Sequence, residues 1–179
     1  MYEKMPSEKF DLEKPRKYSF LAKVFHWGFI VIFGYGIYKQ VDELDQLADF
    51  ALLKFEMIFA AAFLFLLIIR FIYMRRTQQS SLPTTTSQTQ KYAAKIVHYG
   101  MYFCLGIIAI SGISIGTLYW LGFKSGLIIE GVISIHEFSF TVIYFLIMIH
   151  VSAAIYHRFL GDGVWNSMVP FWNEKINRD

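Results

Sequence analysis

Five histidines stand in a chain of 179 residues, and three of them share an apolar run about as long as a bilayer is thick, Gly131 to His157 (GVISIHEFSFTVIYFLIMIHVSAAIYH). His150 follows His136 by 14 residues. At about 100° per residue that interval is roughly four helical turns, so both rings leave one helix face about 21 Å apart along the axis. His157 returns to nearly the same azimuth about 10 Å further on. In an apolar medium each imidazole nitrogen needs a partner, and iron is one that also accounts for repetition at two depths. A shared zinc ion is a poor rival, because the two rings are too far apart and no closely spaced Cys or His ligands accompany them.

Such a run needs a lipid surround, and the composition supplies the reason to expect one. Hydrophobic residues make up 55% of the chain and charged residues 17%. A soluble domain of this length could not bury that much apolar surface. Four windows are long enough to span, about residues 18 to 38, 50 to 73, 96 to 120 and 131 to 157. The expected fold is all-α: an integral-membrane four-helix bundle running up-down-up-down, with residues 18 to 160 as its domain. Residues 1 to 17 lack an apolar core and read as a polar cytoplasmic tail, and 161 to 179 as a second one.

Lys and Arg gather in the N-terminal tail, after the second span and in the C-terminal tail, which puts both termini in the cytoplasm. Basic residues cluster at span ends and not on one face, so the net charge of +3 speaks for membrane orientation and against nucleic acid. The single cysteine, Cys104, excludes an internal disulfide and reads as a packing residue. Most of the tryptophans and tyrosines read as an interfacial belt.

In this topology His26, His98, His150 and His157 share one depth, and His136 shares the other with Glu56. A b-type haem in a helical bundle takes axial ligands from two helices that face each other. His26 and His150 satisfy this, and His98 competes for either place; depth alone does not choose. His157, beside Arg158, suits a headgroup-facing role as well as ligation. Arg70 lies inside an apolar run, where it could snorkel or pair with a haem propionate.

The order and spacing of these residues resemble the bacterial cytochrome b561 family, relatives of the b-type cytochrome subunits of membrane-bound nickel hydrogenases. The resemblance covers about residues 17 to 171. It rests on His26-Trp27, Arg70, His98 with Tyr102, His136-Glu137, His150, Gly161-Asp162-Gly163 and Met168-Val169-Pro170. It implies electron transfer between the quinone pool, ubiquinone for example, and a donor or acceptor at the membrane. One branch of the family oxidises superoxide. Carried over by position, His26 and His150 would ligate a cytoplasmic haem b and His136 an outer one, with a quinone sought near His98 and His157. The chain departs at the second span, where Glu56 stands in place of the outer haem's other histidine. That outer haem is then five-coordinate, ligated by Glu56 or Lys54, or absent, in which case His136 would hydrogen-bond Glu56.

The expected protein is thus an inner-membrane b cytochrome of a bacterium, an oxidoreductase if self-sufficient. Its partners would be lipid, a quinone and a redox protein, with a homodimer compatible. The alternative is a haem-poor anchor or scaffold subunit of a larger respiratory complex. Proton or metal transport through the His-lined core is a third reading.

Overall fold

The computed structural model describes residues 17–41 and 43–174. Most of the expected N-terminal tail, Asp42, and Lys175 and Arg178 of the C-terminal one lie outside the described residues. Four long helices carry the chain: α1 (Phe20–Tyr38), α2 (Phe50–Thr77), α3 (Gln88–Trp120) and α4 (Leu127–Leu160), followed by a short α5 (Val164–Met168). The four long ones are apolar enough to cross a membrane. Among the described residues there is no strand.

Each start has a local cause. Ser19 Oγ accepts from the Ala22 amide, Asp49 Oδ1 from Ala51 and Ser87 Oγ from Gln90, so the first three long helices open on side-chain caps. The fourth opens on Gly126 at φ 99° and closes on Gly161 at φ 66°, left-handed backbone that glycine adopts without a Cβ clash. The α3 helix begins eight residues before the expected span, and α2 runs four beyond it through Arg75 and Arg76. Apolar content marks the lipid-embedded part of a helix; polar turns such as Gln88 to Lys95 continue the same backbone bonds into water.

The helices alternate in direction. The start of α1 meets the end of α2, where the Ser19 amide donates to Gln78 Oε1 at 3.1 Å and the Ser19 and Tyr73 hydroxyls lie 2.9 Å apart. At the opposite end the 3₁₀ turn Leu44–Ala48 tucks Leu47 against Leu53 and Tyr119. We call these the terminal end and the far end. Between them Phe29, Phe63, Leu67, Leu105, Ile108 and Ile143 form the core, with buried Cys104 packed among them as a free thiol. Phe20, Val31, Phe65, Phe103, Phe138 and Phe159 are exposed, as lipid-facing side chains are. Hydroxyls inside the spans are satisfied by carbonyls one turn back, Ser114 by Ile110 and Ser139 by Ile135.

The C-terminal stretch folds back as a cap. Lys23 Nζ donates to the Asn166 carbonyl and Trp27 Nε1 to that of Met168, both at 3.3 Å. Asn166 in turn brackets the backbone of Glu174, accepting from its amide at 2.9 Å.

Candidate functional site

Three histidines converge at the terminal end. His26 comes from the second turn of α1, His98 from the early part of α3 and His150 from the last third of α4. The His26 and His150 ring centres are 6.2 Å apart, and those of His98 and His150 are 4.9 Å apart. An iron between two imidazoles, with metal–nitrogen bonds of about 2 Å and about 1.1 Å more to each ring centre, sets the centres about 6.3 Å apart. The His26–His150 separation matches that span, whereas the His98–His150 separation is too short for it.

Hydrogen bonds distinguish the rings further. Arg70 Nη2 donates to His26 Nδ1 at 2.9 Å; a guanidinium cannot accept, so Nδ1 is the acceptor and the His26 proton sits on Nε2. His98 Nδ1 donates to the Ala94 carbonyl at 2.6 Å, which leaves its Nε2 as a free lone pair, although the residue is exposed on the bundle surface. Arg70 points inward. Its guanidinium carbon lies 5.3 Å from the Phe29 ring centre and 5.5 Å from that of Tyr102, and its buried Nε has no partner. A half-buried cation with an unused buried donor is suited to an anionic group.

His157 stands apart from this cluster. Its Nδ1 is 2.6 Å from Asp162 Oδ2, and the other oxygen of Asp162 accepts from the Val164 amide, so the ring ties α4 to the Gly161–Gly163 turn.

The far end carries the remaining two site residues. Glu56 on α2 and His136 on α4 line one cavity of about 250 Å³, walled by Phe33, Phe59, Phe63 and Phe140. They do not bond each other, contrary to the pairing expected if no haem is present. His136 Nδ1 meets Ser111 Oγ at 2.7 Å, and Glu56 Oε1 is buried without a partner. The Ser111 hydroxyl also stands 2.6 Å from the Ile107 carbonyl, which takes its one proton. Its oxygen then accepts from His136 Nδ1, and Nε2 is left as an acceptor. Lys54 is exposed and is not among the residues that line the cavity.

One register underlies both ends. Glu56 precedes Arg70 by 14 residues, as His136 precedes His150. The same interval leads from His26 to Gln40 and from His98 to Gly112, and Gln40 and Gly112 both line the far cavity. Sequence reasoning missed these two and Ser111; counting four turns from His98 finds Gly112, while Gln40 lies just past the end of α1 at Tyr38.

The prokaryotic cytochrome b561 description matches residues 17–171. The chain belongs to that family. Cytochromes b561 are b-type haem electron-transfer proteins, and this cytochrome is a multi-pass membrane protein, with four helices among the described residues long and apolar enough to span. No curated protein and no solved structure matches the chain. For this b561-family protein the terminal end offers two neighbouring imidazoles and a half-buried cation, which fit a haem with its propionates. The far end offers one imidazole and a carboxylate, which do not make a bis-imidazole site. Among the described residues no three His, Cys, Asp or Glu side chains group to hold a bare metal ion.

Proposed function

We propose that the chain is a one-haem cytochrome of a bacterial inner membrane, with both termini in the cytoplasm, whose haem iron is held by His26 and His150 and exchanges electrons with the quinone pool. The observation that carries the reading is the 6.2 Å separation of those two rings beside Arg70. Haem b, when bound, supplies reversible one-electron exchange at its iron; the protein sets access and potential.

The residues divide the work. His26 and His150 bind from α1 and α4 and so tie the outermost helix to the bundle. Binding through His26 Nε2 requires the proton there to leave, and Arg70 must then release Nδ1, since that nitrogen becomes a donor. Phe29 and Tyr102 keep the guanidinium in place as it turns to an anionic partner. With a haem held by His26, the positive charge of Arg70 would favour the reduced state. The exposed apolar surface between helices gives a lipid-soluble quinone access without crossing water.

Orientation follows from Arg75, Arg76, Lys91 and Lys95 beyond the spans at the terminal end, set against the acidic Glu43, Asp45 and Asp49 at the far end. The test is the reduced-minus-oxidised spectrum of the purified protein on addition of a quinol. Reduction of a low-spin b haem in the wild type, absent in His26→Ala, is the expected result. An unchanged spectrum in that variant would overturn the assignment.

A further inference from the structure

The far-end cavity has the polarity of a binding site but the wrong donors for a second haem. Its walls are mostly aromatic and aliphatic, its volume is about 250 Å³, and its polar lining is Gln40, Glu56, His136 and Glu137, two of which offer hydrogen-bond acceptors from different helices. One is Glu56 Oε1, buried and unpartnered; the other is His136 Nε2, freed because Ser111 holds Nδ1. A buried unsatisfied carboxylate oxygen is costly, and a native structure keeps one where a ligand completes it. Two acceptors left without a partner in a largely apolar, membrane-depth cavity favour a flat neutral ring with hydroxyl donors at its edge.

We propose that this cavity binds a membrane-soluble hydroquinone, one ring hydroxyl donating to Glu56 Oε1 and the other to His136 Nε2, in the place where the resemblance puts a second haem. The choice of a quinone-type ring rests on the proposed exchange with the quinone pool; the requirement for two hydroxyl donors rests on the two acceptors that Glu56 and His136 leave without a partner. Gly112 belongs to the site as well, since a Cβ there would stand 3.5 Å from His136 Cε1 and narrow the space beside the ring. The claim is binding, and no electron step is assigned to this end.

The experiment uses the full-length detergent-purified protein, kept reduced by dithionite so that heat reports binding only. Duroquinol and its dimethyl ether, which has the same ring without hydroxyl donors, are titrated calorimetrically. The wild type should bind duroquinol about tenfold more tightly than the ether. Glu56→Leu and His136→Phe should each weaken duroquinol about tenfold and leave the ether unchanged, with haem content as in the wild type. Equal affinity for the two compounds, or no duroquinol binding, overturns the inference on the wild type alone, whether or not the variants fold. A second haem per chain that His136→Phe removes overturns it too. Haem reduction by quinol is read separately. Its failure with duroquinol binding intact sinks the proposed electron exchange and leaves the binding site standing, whereas haem reduction without duroquinol preference at the far end sinks the site and leaves the exchange standing.

Discussion

The terminal end and the far end stand on the same 14-residue register, and the groups placed on it differ. At the terminal end the register presents His26, Arg70, His98 and His150; at the far end it presents Gln40, Glu56, Gly112 and His136. One end gathers imidazoles around a cation, and the other sets a lone imidazole and a carboxylate about a cavity. A bundle of four antiparallel helices repeats its geometry end to end, so the scaffold offers two equivalent stations. The side chains decide which of them can hold iron.

The largest effect should come from removing a proposed iron ligand at the richer end. His150→Ala is expected to abolish the low-spin b spectrum almost wholly, while His136→Ala leaves haem per chain unchanged. Pyridine haemochrome on the two purified variants checks the contrast; equal losses would erase the distinction between the ends.

Glu56→His should convert the poorer end toward the richer one. It places a second imidazole across the cavity from His136, and haem per chain should rise from one toward two under haem-sufficient expression. A ratio that stays at one would show that the far end lacks room for the group as well as ligands for it.

Arg70→Gln removes the cation that marks the terminal end. A hydrogen bond to a charged group contributes about 1.5 to 3 kcal/mol, so haem should be lost roughly tenfold or more faster on dilution into apomyoglobin. The midpoint potential should fall as the positive charge goes. A potential unchanged from the wild type would place Arg70 outside the site's electrostatics.

The smallest effect concerns the cap over the terminal end. Burial of Glu174 raises its carboxyl above the ordinary carboxylate range, as desolvation disfavours the charged form. The folded cap therefore holds the proton more tightly than the free tail does. Cap stability is highest at low pH and falls as pH climbs through the raised value. Glu174→Gln should slow proteolysis of the C-terminal segment at pH 7, and the difference should vanish near about pH 4, where both side chains are neutral.

Much of this was legible in the sequence because the bilayer imposes simple rules. Length and apolarity mark α1, α2, α3 and α4, and the pairing of His136 with His150 follows from helical pitch alone. What pitch cannot supply is the rotation of one helix against another. His26 and His98 are equivalent in depth, and only the packed helices show 6.2 Å for one and 4.9 Å for the other. Arg70 could be placed in an apolar run but not aimed, because its target lies on a helix 44 residues away in the chain. The Ser111 contact was hidden for another reason: a serine in a membrane helix ordinarily bonds its own backbone, and this one does so while also serving His136. The α5 cap lies in what reads as a tail, and neither it nor the 3₁₀ turn is legible in the sequence, because each is held by a few specific contacts with no periodic pattern to betray it.

The most direct test of the difference between the two ends is haem per polypeptide in the detergent-purified wild type, measured by pyridine haemochrome with a reduced-minus-oxidised spectrum on the same sample. The account predicts a ratio near one and a single low-spin b centre. A ratio near two would contradict it, since the far end would then hold iron with one imidazole and a carboxylate.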